Sequence, residues 1–393
     1  MIYKSRLIDI TLIIISLYSL FFIFHKFLGG KIPFWDFHII YCASKTFFLG
    51  NFPYGLDAHG DCLDPNIKLT ANFLPSTYEM LKYFGSLNIS TAKFLWIFLE
   101  TISIALIFFI SKELFKINFN WRNFLLIFFS FGSTIFISFF SGNISVILYG
   151  FLILGIYFLN KNFNNIFYII VIFVSLFKFY YLTFLILPFY ILGWNSIKNI
   201  FFYLFLFFLI QYFFYINNTD LTIAFFDIIQ GKVEGNLPTR FLTGTGLYSI
   251  IEKMPWAFFG VKNFDKSYFS LEISLFLWLL ISSIFLLSIF LCLNSERIKN
   301  SKNHSLYCIS FGVLIINLII PRLVVYDLVL TVPIIFYLLN KINFKELEIY
   351  KLRLFFIFLF LIIFDHHFSF FIIISFLTLF IYSEFYKKNL FVY

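Results

Sequence analysis

Few residues in this chain can give or take a proton, and fewer still stand where the chain also turns. Asp36 does both. It opens the segment PFWDFHIIYCASKTFFLGNFPYG (33–55), in which an acid, a helical apolar pattern and a turn bounded by Gly50, Pro53 and Gly55 follow one another. Further along come the Gly142-Asn143 pair, Lys178, Arg322 with Asp327 about a turn later, and Asp365-His366-His367, each at the edge of an apolar run. A carboxylate set against a lysine, an arginine and two histidines is equipment for moving a group off a phosphate. The acid draws a proton from an incoming hydroxyl while the cations hold the leaving phosphate. Asp36 is therefore the candidate base, and Lys178, Arg322, His366, His367, Asn143, His38 and Tyr41 are candidate substrate- and phosphate-binding residues.

Each of these has a plainer reading. Asp36 stands just before the first periodic apolar residue and could be a helix N-cap, a role that favours its charged form and weakens it as a base. Lys178 could snorkel from a helix end, Arg322 and Asp327 could form a structural ion pair, and the two histidines could be a polar turn. With no cysteine or E-x-x-H spacing nearby, a metal site gains no support, and no cofactor is expected.

Composition dictates the setting for this chemistry. At 61% hydrophobic and 12% charged residues, with mean hydropathy +0.92, a chain of 393 residues lacks the polar surface that water requires. The sequence predicts an all-α polytopic membrane protein, one integral-membrane domain over 1–393. The 65 Phe and 24 Tyr run through nearly every apolar stretch and read as lipid-facing filler or coding bias rather than a stacking site. Lys4 and Arg6 precede an apolar run at 7–28 that is too long for a signal-peptide core and lacks a small-residue cleavage site, so it should remain as an anchor. Further apolar stretches fall at 91–111, 122–140, 143–159, 165–177, 180–193, 198–216, 271–293, 304–320, 323–340, 352–364 and 368–385, giving about twelve spans.

Charge sets their orientation. Lys and Arg gather in the N-terminal segment and in the short loops that this count places inside, so both termini should be cytoplasmic and two long loops, 29–90 and 217–270, extracytoplasmic. Merging 165–177 with 180–193 around Lys178 would reverse every later loop and put the basic clusters outside. The short spans should be half-embedded or broken helices around a cavity. The net charge of +9 follows from the same bias and from anionic-lipid contact, and nothing in it points to nucleic acid. With this topology the candidate site residues meet at the outer face, where the active site should lie.

Within the first loop, Phe37, Ile40, Tyr41, Ser44, Phe47 and Phe48 recur at i, i+3, i+4, i+7 spacing, with His38 and Lys45 off that stripe. Such a helix should lie along the membrane surface. Of the four cysteines, Cys42 and Cys62 share the loop and could pair, or be buried small residues like Cys292 and Cys308. The second loop, with Gly231, Gly235, Pro238, Gly244 and Gly246 around Arg240 and Thr243, reads as a mobile cover or as a plain extramembrane loop.

The string WDFHIIYCASKTFFLGNFPY resembles the first-loop signature of the glycosyltransferase family 87 membrane enzymes, in which Asp-Phe after the first span leads to Tyr, small residues, Gly and Pro-Tyr. Phe140-Ser141-Gly142-Asn143 resembles that family's Gly-Gln turn, with Asn in place of Gln. Residues 176–181 resemble its Lys-Pro segment, with Phe179 in place of Pro, and Pro321-Arg322 through Tyr326-Asp327 resembles its late Pro-Arg and Tyr-Asp segment. The resemblance implies a GT-C-type bundle and a polyprenyl-phosphate sugar donor, typically the mannose form. It further implies Asp36 as general base, with Lys178 and Arg322 near the donor phosphate; the acceptor is expected to be a glycolipid or glycan, although no motif in the chain reads it. One base without a nucleophile partner implies inversion at the anomeric carbon. A lipid or solute transporter or flippase remains the alternative from another class, and an inactive scaffold subunit of the same fold is a third.

Overall fold

The computed structural model describes residues 33–54, 62, 73–117, 120–233, 246–252, 270–321, 324–342, 369–386 and 390–391, with isolated positions in the first apolar run. Arg322, His366, His367 and the span expected at 352–364 lie outside them. Among the described residues every regular element is a helix, apart from an isolated antiparallel bridge between Ile342 and Phe391.

The described elements begin with α1 (Trp35–Phe48) and α2 (Pro75–Gly85), followed by the longer α3 (Ile89–Phe115), α4 (Trp121–Ser141), α5 (Ser145–Asn160) and α6 (Asn164–Ser175). Asparagine side chains start two of these: Asn88 accepts from the Thr91 amide and Asn120 from the Asn123 amide, both at 2.8 Å. A 3₁₀ segment (Phe179–Leu185) leads through α7 (Ile186–Leu192) to α8 (Ile197–Asn217) and α9 (Thr219–Val233). The last elements are α10 (Leu271–Leu293), α11 (His304–Ile319), a 3₁₀ turn (Val325–Leu328), α12 (Thr331–Lys341) and α13 (Ser369–Phe385).

Three described helices are long and apolar enough to cross a membrane: Ile89–Phe115, the run Phe179–Asn217 and Glu272–Leu293. Asn123–Ser130 and Ser133–Ser141, bent by 61° at the break between them, make a fourth if they form one span. This is the composition of a helical membrane protein, while α5, α6, α11 and most of α13 are apolar but shorter. The stretches expected at 180–193 and 198–216 lie in a single 39-residue helical run. Straight, it would measure about 58 Å, near twice a hydrocarbon core. Gly193, at φ 61°, interrupts it.

The core centres on α11, whose residues 307–318 are buried without a gap between α7, α10, α12 and α13. A second seam joins α3 to α5, so close that a Cβ on Gly150 would fall 2.6 Å from the Ser103 Cβ. In α8, by contrast, only Tyr203 and Phe207 are buried, and the exposed Phe201, Phe202, Phe205 and Phe208 are compatible with lipid contact.

One expectation, for the first loop, changes; in the second loop Gly235, Pro238, Arg240, Thr243 and Gly244, read as a cover, lie outside the described residues. α1 is not a one-faced surface helix: besides Phe37, Ile40, Tyr41 and Ser44, it buries Ile39, Cys42, Ala43 and Thr46, leaving Lys45 exposed. The second apolar face, Ile39 and Ala43, packs with Tyr54, Tyr78, Leu221 and Phe225. The latter two project from α9, so the start of the second loop is a docked helix. Leu221 and Phe225 stand four apart and make the anchoring stripe. Cys42 and Cys62 form a disulfide that ties α1 to the loop after it, while Cys292 and Cys308 are buried thiols.

Candidate functional site

Asp36 lies in the first turn of α1, but it is not the cap. Phe34 takes that position in the left-handed region, at φ 61°, and no side chain caps the helix. The carboxylate sits where unpaired helix amides favour negative charge. What fixes this turn is its contact with the α4–α5 corner. The Phe34 amide donates to the Phe140 carbonyl at 3.1 Å, and the Trp96 indole N–H donates to the Gly142 carbonyl at 3.0 Å. Gly142 has φ 68°, and a Cβ there would meet the Phe37 Cβ at 2.7 Å and the Phe34 ring at 2.8 Å. Only glycine allows both the turn and the close approach.

Asn143 reads across that contact. Its Nδ2 donates to Asp36 Oδ2 at 2.9 Å, while its Oδ1 accepts from the Ser145 amide at 3.0 Å. The second bond orients the amide so that its NH₂ faces the carboxylate.

Lys178 stands at the break after α6. The carbonyls freed there are satisfied by α2: the Ser76 hydroxyl donates to Leu176 O at 2.6 Å, and Thr77 lies 3.2 Å from the carbonyls of both Leu176 and Phe177. Gln211 from α8 donates in turn to the Ser76 hydroxyl at 3.1 Å. From this braced position Lys178 Nζ donates to Ser145 Oγ at 2.6 Å and lies 5.7 Å from the centre of the Tyr180 ring.

Asp327 completes the arrangement. It is 1% exposed, and its Oδ1 accepts from the Tyr180 hydroxyl at 2.6 Å and lies 3.4 Å from the Ser145 hydroxyl. Its Oδ2 accepts from the Val324 amide at 3.1 Å, and its backbone carbonyl accepts from Tyr149 at 2.8 Å. Four separate stretches of sequence thus build one polar chain, from Asp36 through Asn143 and Ser145 to Lys178 and Asp327.

Of the residues singled out in the sequence, Asp36, Asn143 and Lys178 are brought together, with Asp327 beside them. His38 follows Asp36 on α1, partly buried, its ring edge-on to Phe37 at 5.6 Å. Tyr41 is turned elsewhere: it stacks on Phe37 and donates to the Leu87 carbonyl at 2.8 Å, and its burial raises the phenol pKa. Ser145, Tyr180 and Tyr149 escaped sequence reasoning, although Ser145 and Tyr180 each stand two residues after a recognised position. Glu100 was also passed over, yet an acid in mid-span is itself a signal. It is fully buried in α3, and neither carboxylate oxygen has a hydrogen-bond partner among the described residues. No group of three or more His, Cys, Asp or Glu is gathered among those residues as a metal ion would need.

The site can therefore present a carboxylate and an ammonium to a ligand from one polar cluster. Comparison with protein-family models, curated proteins and solved structures finds no match for this chain.

Proposed function

We propose that this chain is an integral-membrane glycosyltransferase that moves a hexose, mannose first among the candidates, from a polyprenyl-phosphate sugar to a hydroxyl of a glycolipid or glycan. The observation that carries this reading is the joining of Asp36 to the Lys178 cluster through Asn143 and Ser145. Asp36 takes the proton of the acceptor hydroxyl as its oxygen bonds to the anomeric carbon. The bond from that carbon to the donor phosphate breaks, and the negative charge passes to the phosphate, where Lys178 and Arg322 offset it. Attack from the face opposite the phosphate inverts the anomeric carbon. The resemblance of residues 35–54 to glycosyltransferase family 87 supports the same assignment.

An extracytoplasmic site is supported by the Cys42–Cys62 disulfide, since such bonds persist outside the reducing cytosol. The loops that carry α1 and α9 then cover the acceptor side, with both chain termini cytoplasmic.

The test is sugar transfer from labelled polyprenyl-phosphate mannose to a membrane lipid extract, comparing wild type with Asp36→Ala and Asp36→Asn at matched expression. A fall of at least about a hundredfold in both variants, the usual size of a lost general base, is expected. Undiminished transfer by the variants would remove Asp36 from the chemistry, and a product retaining the donor's anomeric configuration would exclude direct displacement.

A further inference from the structure

Asp327 is almost wholly shielded from solvent, and a buried carboxylate needs both hydrogen-bond donors and a nearby positive charge. Tyr180 and the Val324 amide supply donors. Among the described residues a positive charge comes from Lys178, which reaches Asp327 through one atom: Ser145 Oγ accepts from the ammonium and lies within reach of the carboxylate. With the lysine donating, the serine hydroxyl has its own hydrogen left for Asp327.

We propose that Asp327 is the resident counter-ion of Lys178, acting through Ser145 with Tyr180 as its brace, and that a lipid phosphate entering the site must draw the ammonium away from it. This rests on the reading of Lys178 as the phosphate-binding residue. Asp327 is a positioning residue: it sets where the ammonium waits and opposes the binding of any competing anion. A site built this way holds phosphate less tightly than a free lysine would, which favours departure of the polyprenyl phosphate once the sugar has left.

Two variants separate this from a merely structural role. Ser145→Ala keeps both charges and removes only the bridging oxygen, and Asp327→Asn removes the opposing charge. The readout is calorimetric binding of farnesyl phosphate to the full-length protein in a maltoside detergent, with farnesol as the uncharged control. Wild type should prefer the phosphate, and Lys178→Met should weaken that preference. Ser145→Ala and Asp327→Asn should each bind the phosphate about tenfold tighter with farnesol unchanged, the size of one hydrogen bond to a charged group. Unchanged or weaker phosphate binding in a folded Ser145→Ala protein would overturn the proposal, and that variant decides alone if Asp327→Asn fails to fold. A wild type that does not distinguish phosphate from alcohol would overturn it too.

Sugar transfer assayed in parallel separates the two readings. Tighter phosphate binding by the variants, with no transfer by wild type from any polyprenyl-phosphate sugar, would keep the counter-ion and sink the transferase. Transfer by wild type with phosphate affinity unmoved in Ser145→Ala would sink the counter-ion alone.

Discussion

Asp36 and Asp327 stand at the two ends of one hydrogen-bond chain, and their surroundings differ. Asp36 is partly exposed in a helix first turn, where the side chain of Asn143 meets one of its oxygens. Asp327 is buried on a 3₁₀ turn, with Tyr180, Ser145 and a backbone amide around its two oxygens. Partial exposure suits a carboxylate that has to meet an acceptor hydroxyl. In the proposed mechanism the two regions divide the labour: one end takes a proton, the other holds a cation.

The largest effect expected from breaking this division is at Asp36. Asp36→Asn should cost at least about a hundredfold in the rate of sugar transfer. Asp327→Asn should instead act mainly on the donor KM, lowering it, and steady-state kinetics showing the larger kcat loss at Asp327 would exchange the two roles. Gly142→Ala comes next. It forces an L side chain into φ 68° and against the Phe37 Cβ, a strain of about 1 to 3 kcal/mol. The thermal melting temperature should fall, and transfer should fall with it. Asn143→Ala should reduce transfer about tenfold, the size of one lost hydrogen bond to a charged group. Melting there should stay close to wild type, because the backbone turn survives. Tyr41→Phe should be mildest, costing about 1 kcal/mol of stability through the bond to Leu87 and leaving transfer intact. Loss of transfer by Tyr41→Phe without a change in melting would bring Tyr41 into the site.

What the sequence revealed depended on contrast. Asp36, Asn143 and Lys178 each interrupt or border an apolar run, so their cost in a membrane marks them before any fold is known. Tyr180 and Tyr149 carry comparable polar roles but sit among 24 Tyr and 65 Phe, where a hydroxyl aimed at Asp327 looks like one more ring. Ser145 is small enough to pass for a packing residue. The same lack of contrast hid the burial of helices: α8 and α11 are both strongly apolar, yet α8 buries only Tyr203 and Phe207 while α11 buries 307–318 without a gap. A lipid tail and a leucine are similar solvents, so hydropathy alone cannot rank such helices by depth in the bundle. In α1 a single stripe was legible, but Ile39 and Ala43 formed a second one whose partners, Leu221 and Phe225, lie far away in sequence.

The disulfide between Cys42 and Cys62 spans only 20 residues, and both cysteines precede every long helix that the structure describes. Chains are made and folded from the N-terminus. In the proposed topology this bond can close outside the membrane while α3 and all that follows are still on the ribosome. α1, with Asp36 in its first turn, is then a finished part waiting for the Gly142 corner and later for Lys178 and Asp327 to dock against it. The bond belongs to biogenesis as much as to the mature protein. A cell unable to form it should yield fewer complete molecules, while those that do assemble turn over at a normal rate.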